Sequence, residues 1–422
     1  MTLIKTSLLN AIAVVIKMLT LLGLNKVLAV YVGPVGYAAL GQFQNAVQMI
    51  TTFASGAINT GVTKYTAEYY DDINKQRQLW RTAGTVGLIG SLLTACLIAL
   101  FSQSLAIFFF KDGSFSGVFI WFALTLTLFT FNSLLLAILN GKKEIVRYVM
   151  ANIAGSLFAF SITTVMAIKL GLYGALIALA TYQSIVLITT MLICYKAPWF
   201  RFDYLIGSVH KESAINLAKF TAMALTSAAC VPVSHILIRN HLGETHGWEV
   251  AGYWEASWRL STAYLMLVTS TISIYFLPRF SELKDLALLR QEVVRGYKTI
   301  VPAAVVFGIV IYVLRDFIIQ VLFSIEFINM RDLFLWQIVG DTLKIMSWVL
   351  AYVITARALW KPYIVGELLT SGLFYSLVLH FSERGAVGAS LAHALTYLFY
   401  LGYVVFVMRI YVFPARYFSW TK

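Results

Sequence analysis

The chain has 422 residues, of which 60% are hydrophobic and only 12% are charged. Soluble domains average roughly 45–50% apolar and 25% charged residues, so this composition excludes an ordinary soluble protein and predicts an integral membrane protein. The formal net charge of +13 does not indicate a nucleic-acid partner, because the cations concentrate in alternate loops between apolar segments.

Apolar runs of about 20 residues, the length that a helix needs to cross a bilayer, recur along the whole chain. Twelve spans are predicted, at 8–31, 36–65, 80–108, 117–139, 147–168, 172–195, 215–239, 249–280, 297–314, 329–356, 361–381 and 386–409. No run has the alternating ten-residue pattern of a transmembrane barrel. The sequence therefore predicts an all-α integral membrane fold.

The two halves of the sequence resemble each other. Gly36-Tyr37 recurs as Gly252-Tyr253, and Lys64 at the end of the second span corresponds to Arg279 at the end of the eighth, about 215 residues later in each case. Duplicated transporters of this kind hold their cargo between the two copies. We therefore expect two six-helix lobes around a central cavity, with alternating access. The predicted boundaries are a lobe at 1–195, a cytoplasmic linker at 196–214, a second lobe at 215–410 and a cytoplasmic tail at 411–422.

Loop cations predict the orientation in the membrane. With the N-terminus inside, the cytoplasmic loops carry many more lysines and arginines than the opposite side, including Lys75, Arg77, Arg81, Lys142, Lys143, Arg147, Arg201, Arg290, Arg295 and Arg357. The opposite side has few, among them Lys111, Lys169, Arg239 and Arg384. The positive-inside rule therefore places both termini in the cytoplasm.

Three cations, Lys17, Arg259 and Lys344, interrupt spans near the estimated bilayer centre. A charge there costs at least roughly 2.5–3.5 kcal/mol, so it normally faces a bundle interior or a wet cavity. No carboxylate lies within helical reach of Lys17. We interpret Lys17 as facing the cargo, the alternatives being an acid on another helix or snorkelling. Three further candidate cations lie nearer span ends: Lys26, Lys64 and Lys219. The alternative is snorkelling for Lys26 and interface anchoring for Lys64 and Lys219.

Arg259 and Lys344 each have an acid on the same helix face. Glu255 lies one turn before Arg259, and Asp341 lies three residues before Lys344, so internal ion pairs are the structural alternative to cargo binding. Because burying an ion pair is costly, Glu255 and Asp341 are also candidate coupling or gating groups that open and re-form a pair during transport. Several cations in a membrane cavity predict an anionic cargo.

Signatures of enzymes and metal sites are missing from the sequence. There is no CxxC pair, Walker lysine motif or G-x-S-x-G elbow, and His235, His241 and His246 lack the spacing of a zinc site. We expect no catalytic residue, metal or cofactor. The energy would come from an ion gradient, the membrane potential or downstream consumption of the cargo. A membrane glycosyl- or acyltransferase is a remote alternative, against which the short loops argue.

Several short motifs resemble the Wzx-type polysaccharide flippases of the multidrug/oligosaccharidyl-lipid/polysaccharide exporter superfamily. They are Gly61-Val62-Thr63-Lys64-Tyr65-Thr66-Ala67-Glu68, Lys219-Phe220-Thr221, Leu277-Pro278-Arg279, Leu314-Arg315-Asp316-Phe317, and Arg331-Asp332-Leu333-Phe334 followed by Trp336-Gln337, Gly340-Asp341 and Lys344. The resemblance covers essentially the whole chain and is strongest to the enterobacterial lipid III and O-antigen flippases.

The resemblance implies a bacterial inner-membrane flippase that moves an undecaprenyl-diphosphate-linked oligosaccharide from the cytoplasmic to the periplasmic leaflet. The cargo would be an O-antigen unit of lipopolysaccharide biosynthesis or enterobacterial common antigen lipid III, and the implied partners are membrane lipids, a polysaccharide polymerase and a ligase. Diphosphate is an anion that Lys and Arg bind well. An ion-coupled multidrug exporter of the same superfamily is the main alternative, although such exporters bind cations and the first span offers Lys17 without an acid.

Overall fold

The computed structural model describes residues 3–412 except positions 57, 196, 284 and 358, and the side chains at 3–11, 219–224, 271, 273–274, 277–278 and 281 also lie outside the described part. The described residues form helices and no strand. The α-helices are α1 (Leu3–Ala54), α2 (Asn59–Glu68), α3 (Ile73–Leu100), α4 (Ser102–Phe110), α5 (Ser116–Gly141), α6 (Ile145–Cys194), α7 (Lys211–His246), α8 (Trp248–Thr271), α9 (Leu277–Glu282), α10 (Leu286–Val313), α11 (Arg315–Leu322), α12 (Phe334–Ala356), α13 (Trp360–His380) and α14 (Gly385–Val407). Shorter turns of 3₁₀ helix occupy Gly113–Phe115, Phe202–Tyr204, Ile325–Leu333 and Ser382–Arg384, and π-helical turns occupy Ile272–Phe276 and Met408–Val412.

Two of the long helices are each divided by one glycine. Gly33 in α1 has φ 68° and ψ −178°, and Gly171 in α6 has φ 57° and ψ −138°. Only glycine adopts such a conformation at little cost. Pro34 then begins the second segment of α1, a position where a proline needs no hydrogen-bond donor. With these divisions, the described residues contain twelve long helical segments, one for each predicted span.

Eight of the described helices are long and apolar enough to cross a membrane. They include α1 and α6, each of which contains two of the twelve segments. The two long helices outside this set are α7 and α8. In α8 the charged residues Glu249, Glu255 and Arg259 interrupt the apolar sequence.

The chain divides into two compact units. The N-terminal unit contains Met1–Val32 and Ala39–Pro232, and the C-terminal unit contains Gly33–Ala38 and Val233–Lys422. The predicted lobe boundaries at 195 and 215 stay a prediction, and the predicted tail lies outside the described residues from 413 onward.

The N-terminal unit has a core in which residues of α2, α3, α5 and α6 pack together, including Val62, Trp80 and Leu135. Polar contacts tie α2 to α3 inside it: Trp80 Nε1 donates to Thr66 Oγ1 (2.9 Å) and Gln76 Nε2 donates to the Thr66 carbonyl (2.8 Å). These bonds satisfy polar groups that would be costly to bury alone.

The C-terminal unit has two apolar clusters. One includes Ile345 and Val349 of α12, and the other includes Ile238 of α7 and Trp254 of α8. In addition, α7, α8, α12 and α14 bury polar and charged side chains at spans of otherwise apolar sequence. Burying these groups is unfavourable unless they are paired, so they mark a candidate site.

Candidate functional site

A cavity of about 220 Å³ lies within the N-terminal unit, beside Lys17. Both segments of α1, both segments of α6, and α5 contribute to its wall. Its polar lining residues are Lys17, Thr20, Gln44, Asn132, Asn152, Ser156, Thr163, Tyr182 and Gln183. The lining residues that the structure describes include no Asp or Glu, so this described wall combines one cation with neutral amides and hydroxyls.

Lys17 is exposed at this cavity. Within the described residues, its ammonium group has no ion pair and no hydrogen bond. The alternative of an acid on another helix therefore has no support in the described part of the chain. An unneutralised cation beside a polar cavity, in a membrane-spanning helix, can attract an anion.

The amides around the cavity are held by bonds to one another. Asn132 Nδ2 donates to Gln183 Oε1 (2.9 Å), and Thr190 Oγ1 donates to Asn132 Oδ1 (2.7 Å). Gln183 Nε2 in turn donates to the Tyr182 hydroxyl (3.3 Å). These contacts join α5 to the second segment of α6 and fix the direction of the amides.

In the C-terminal unit, Glu255 lies between two buried arginines. Its Oε2 accepts from Arg239 Nε (3.0 Å) and lies 2.9 Å from Arg239 Nη2, while its Oε1 accepts from Arg259 Nε (2.9 Å). The internal ion pair between Glu255 and Arg259 is therefore present. Arg259 also lies over the ring of Tyr37, 5.2 Å from its centroid.

Arg239 is the last residue of the predicted span 215–239, but the helix does not end there. This residue is only 1% exposed and lies inside α7, which continues to His246. One carboxylate between two guanidinium groups leaves the trio with one net positive charge. Arg239, Glu255 and Arg259 therefore each have a charged partner. We interpret this trio as a structural ion-pair network, because removing one partner would leave a buried charge uncompensated.

Asp341 and Lys344 do not form the internal ion pair that was the structural alternative at this position. Its Oδ1 lies 3.0 Å from His393 Nε2, and its Oδ2 accepts from Ser261 Oγ (2.6 Å) and from the Tyr264 hydroxyl. Hydrogen bonds from α8 and α14 thus take the place of the neighbour on α12. The reason is geometric, because the carboxylate points towards those two helices.

Lys344 instead lies among aromatic rings. Its Nζ is 4.7 Å from the centroid of Trp258, 5.0 Å from that of Trp348 and 5.2 Å from that of Tyr397. Cation–π attraction is worth more where water is excluded, and Lys344 is only 8% exposed. No ion pair of Lys344 occurs among the residues that the structure describes.

The remaining candidate cations are Lys26, Lys64 and Lys219. Lys64 is exposed, and its Nζ lies 3.7 Å from Glu68 Oε2 in an i,i+4 pair, which agrees with the interface-anchoring alternative. Lys26 is half-buried on α1. The side chain of Lys219 lies outside the described residues.

Sequence reasoning missed several members of these networks. Arg239 and His393 were not singled out as buried partners, and neither were Ser261 and Tyr264 of α8 or the amides of the N-terminal cavity. The sequence does contain a signal for such residues, because a polar side chain within an apolar span needs a hydrogen-bond or ion-pair partner. The identity of that partner depends on tertiary packing.

Comparison with known proteins places the chain in a family. The model of the family described as "Polysaccharide biosynthesis protein" matches residues 3–284. The chain belongs to this family. It is also 32% identical over 406 residues to the protein named "Lipid III flippase" from Escherichia coli (strain K12), covering 95% of this chain and 96% of that protein. The resemblance to polysaccharide flippases is therefore confirmed.

Solved structures show the same fold in more distant transporters. A multidrug resistance MATE family transporter of the MOP superfamily, in an inward-facing conformation, has a TM-score of 0.76 at 15% identity, covering 96% of each chain. The "Lipid II flippase MurJ, inward closed conformation" has a TM-score of 0.75 at 12% identity, covering 96% of this chain and 87% of that one. The predicted all-α membrane fold is confirmed, and the family member is a multi-pass membrane protein.

Proposed function

We propose that this family member flips an undecaprenyl-diphosphate-linked oligosaccharide from the cytoplasmic to the periplasmic leaflet of a bacterial inner membrane by alternating access. The observation that carries the proposal is the unpaired ammonium of Lys17 beside a polar cavity of about 220 Å³ in the N-terminal unit. A diphosphate offers several anionic oxygens to such a cation. The similarity to a lipid III flippase, over 95% of the chain, supports the same class of cargo.

The flipped cargo has parts that need different environments. A polyprenyl tail is apolar and is stable in the bilayer, whereas sugars and diphosphate are costly to transfer through hydrocarbon. A protein that admits only the polar part lowers that cost without moving the tail through water. No bond of the cargo is broken in such a step, so the activity is transport. The relatives named as flippases agree with a transporter rather than an enzyme.

Coupling to an ion gradient would be carried by acids of the C-terminal unit. Asp341 is bonded to His393, Ser261 and Tyr264, and Glu255 joins two arginines. Protonation of either carboxylate would weaken contacts between helices, which is how a local proton can shift a conformational equilibrium. Asp341 is the stronger coupling candidate, because Glu255 is held by two permanent cations.

The proposal includes an orientation and a set of functional partners. The bias of loop cations supports an orientation with both termini in the cytoplasm. A polymerase and a ligase acting on the translocated sugar chain would be functional partners, together with membrane lipids. An O-antigen unit and enterobacterial common antigen lipid III are both cargos of the proposed class.

Leaflet-resolved lipid extraction from a Gram-negative host that lacks this chain tests the proposal. We expect undecaprenyl diphosphate oligosaccharide to build up on the cytoplasmic leaflet and to be cleared by re-expression of the chain. Mass spectrometry of that lipid then identifies the sugars. If no such lipid builds up and drug sensitivity changes instead, the chain is a multidrug exporter and the proposal is wrong.

A further inference from the structure

The cavity beside Lys17 is lined by several neutral polar side chains in addition to the lysine. Its wall includes the amides Asn132, Asn152 and Gln183 and the hydroxyls of Ser156 and Thr163. Amides and hydroxyls both donate and accept hydrogen bonds. The hydroxyl groups of a sugar ring also do both, so these side chains are complementary to a sugar rather than to a simple anion.

The absence of carboxylates from the lining argues against a cation as the ligand. Hard metal ions require oxygen ligands that usually include Asp or Glu, and the described lining has neither. Lys17 would also repel a cation. The ligand is therefore neutral or anionic at the point where it meets this wall.

The size of the cavity limits how much of the cargo fits. Pockets for drug-sized ligands measure roughly 300–1,000 Å³, and this one measures about 220 Å³. It can hold one ring-sized group but not a whole oligosaccharide. Phe160 also lines it, and an aromatic ring offers an apolar face to the carbon side of a sugar.

Thr163 supplies an independent observation. It is fully buried, it lines the cavity, and its Oγ1 has no hydrogen-bond partner in the described structure. Buried polar groups almost always have a partner. A ligand hydroxyl in the cavity would provide the partner that Thr163 lacks.

We infer that this cavity binds the sugar ring attached directly to the diphosphate, with Lys17 contacting the diphosphate and Thr163 and Asn152 contacting sugar hydroxyls. The inference rests on the proposed function. It makes the N-terminal unit a determinant of specificity for the first sugar, whereas Lys17 recognises the group that all such cargos share.

The test uses the full chain in lipid nanodiscs and two probes. One probe is undecaprenyl diphosphate, and the other is undecaprenyl diphosphate bearing a single glucose. We expect Thr163→Val to weaken binding of the glucose-bearing probe by about threefold to tenfold, the range of one neutral hydrogen bond, and to leave binding of undecaprenyl diphosphate unchanged. Lys17→Gln should weaken both.

Thr164→Val is the matched control. The Thr164 hydroxyl is also buried without a partner, but Thr164 does not line the cavity, so its variant should bind both probes like the original chain. Neither valine removes a hydrogen bond that the structure contains, so both variants should fold normally, and their melting temperatures check this.

Three outcomes separate the inference from the proposed function. Unchanged binding of both probes by Thr163→Val overturns the inference and leaves the function intact. An equal loss for both probes has the same meaning, because the sugar is then not what Thr163 contacts. If the unaltered chain binds neither probe, the proposed function fails, and the inference fails with it.

Discussion

Lys17 and Lys344 represent two ways of keeping a lysine inside a membrane-spanning bundle. Lys344 is buried among three aromatic rings, which attract its charge by cation–π contacts, and the carboxylates of Asp341 and Glu367 lie near enough to attract it electrostatically. Lys17 is exposed beside a polar cavity. Because only Lys17 of these two presents its ammonium to open space, it is better placed to meet a ligand, and Lys344 is better explained as part of the packing of α12.

Replacement of Lys17 tests the charge at the cavity. We expect Lys17→Gln to reduce flipping by about tenfold to a hundredfold, since one hydrogen bond to a charged group contributes about 1.5–3 kcal/mol. Lys17→Arg should retain part of the activity. The assay is clearance of lipid-linked oligosaccharide from the cytoplasmic leaflet in a host that lacks the original chain.

Lys169→Gln is a suitable control, because Lys169 is exposed and lies outside the cavity lining. It should transport normally. Normal transport by Lys17→Gln as well would remove Lys17 from the cargo site.

The Glu255 trio predicts a stability effect. Glu255→Gln leaves two buried arginines facing a neutral amide, and removing one partner of a buried pair costs about 3–5 kcal/mol. We expect a clear fall in the melting temperature of the purified chain. Glu68→Gln breaks an exposed pair of similar sequence spacing, which contributes only about 0–1 kcal/mol. Equal melting temperatures for the two variants would show that the trio is not a structural element.

The Asp341 network predicts a pH effect on transport. Asp341 contacts His393 on α14 and Tyr264 and Ser261 on α8, and the charged Lys344 lies nearby on α12. If protonation of Asp341 weakens these contacts during transport, Asp341→Asn should make the rate of flipping independent of pH between about pH 5 and 8, the range in which His titrates. His393→Gln should have the same effect. An unchanged pH profile in both variants would exclude this network from coupling.

The networks also show why sequence alone gave only part of the site. Internal ion pairs were the structural alternative at two places, and the structure contains the one between Glu255 and Arg259. It does not contain one between Asp341 and Lys344, although these residues also share a helix. There, partners from other helices compete for the carboxylate, and His393 is 52 residues away in sequence.

At the scale of the helix, glycines determine where the chain turns. Gly33 and Gly171 each have positive φ between two long helical segments. Without this interruption, the two helical segments that flank each glycine would form one continuous helix. The predicted spans ended near both positions, since an interruption of an apolar run is a local signal, and this is why the elements were predicted more completely than the site.

Substitution at Gly171 isolates the backbone effect. A Cβ at this position would meet no atom within 4 Å, so the cost of Gly171→Ala comes from its backbone conformation alone, about 1–3 kcal/mol. We expect a lower melting temperature. Gly372→Ala is the matched control, because its Cβ would also meet nothing within 4 Å and its φ is not positive. A melting temperature for Gly171→Ala as high as that of Gly372→Ala would contradict the assigned turn.

At the scale of the whole molecule, each compact unit contains its own polar feature. The N-terminal unit has the cavity beside Lys17, and the C-terminal unit has the buried networks of Glu255 and Asp341. We interpret this as a division of labour in which one unit recognises cargo and the other responds to protons. Composition and the internal repeat predicted two halves, but the difference between their sites required the structure.

Orientation in the membrane can be tested by cysteine labelling. The chain has three cysteines, Cys96, Cys194 and Cys230, which are first replaced by alanine. In intact spheroplasts, a membrane-impermeant thiol reagent should label Lys111→Cys, which is predicted to be periplasmic, but not Lys143→Cys, which is predicted to be cytoplasmic. Labelling of Lys143→Cys alone would reverse the predicted topology.

Flipping by the purified chain in proteoliposomes is the most direct test of the proposed flippase activity. Undecaprenyl diphosphate oligosaccharide is placed in both leaflets, and the fraction accessible to an added sugar-modifying enzyme is followed over time. We predict that the accessible fraction rises from about half to nearly all with the original chain and stays at half with empty liposomes. An accessible fraction that the chain does not change would contradict the assignment of this protein as a flippase.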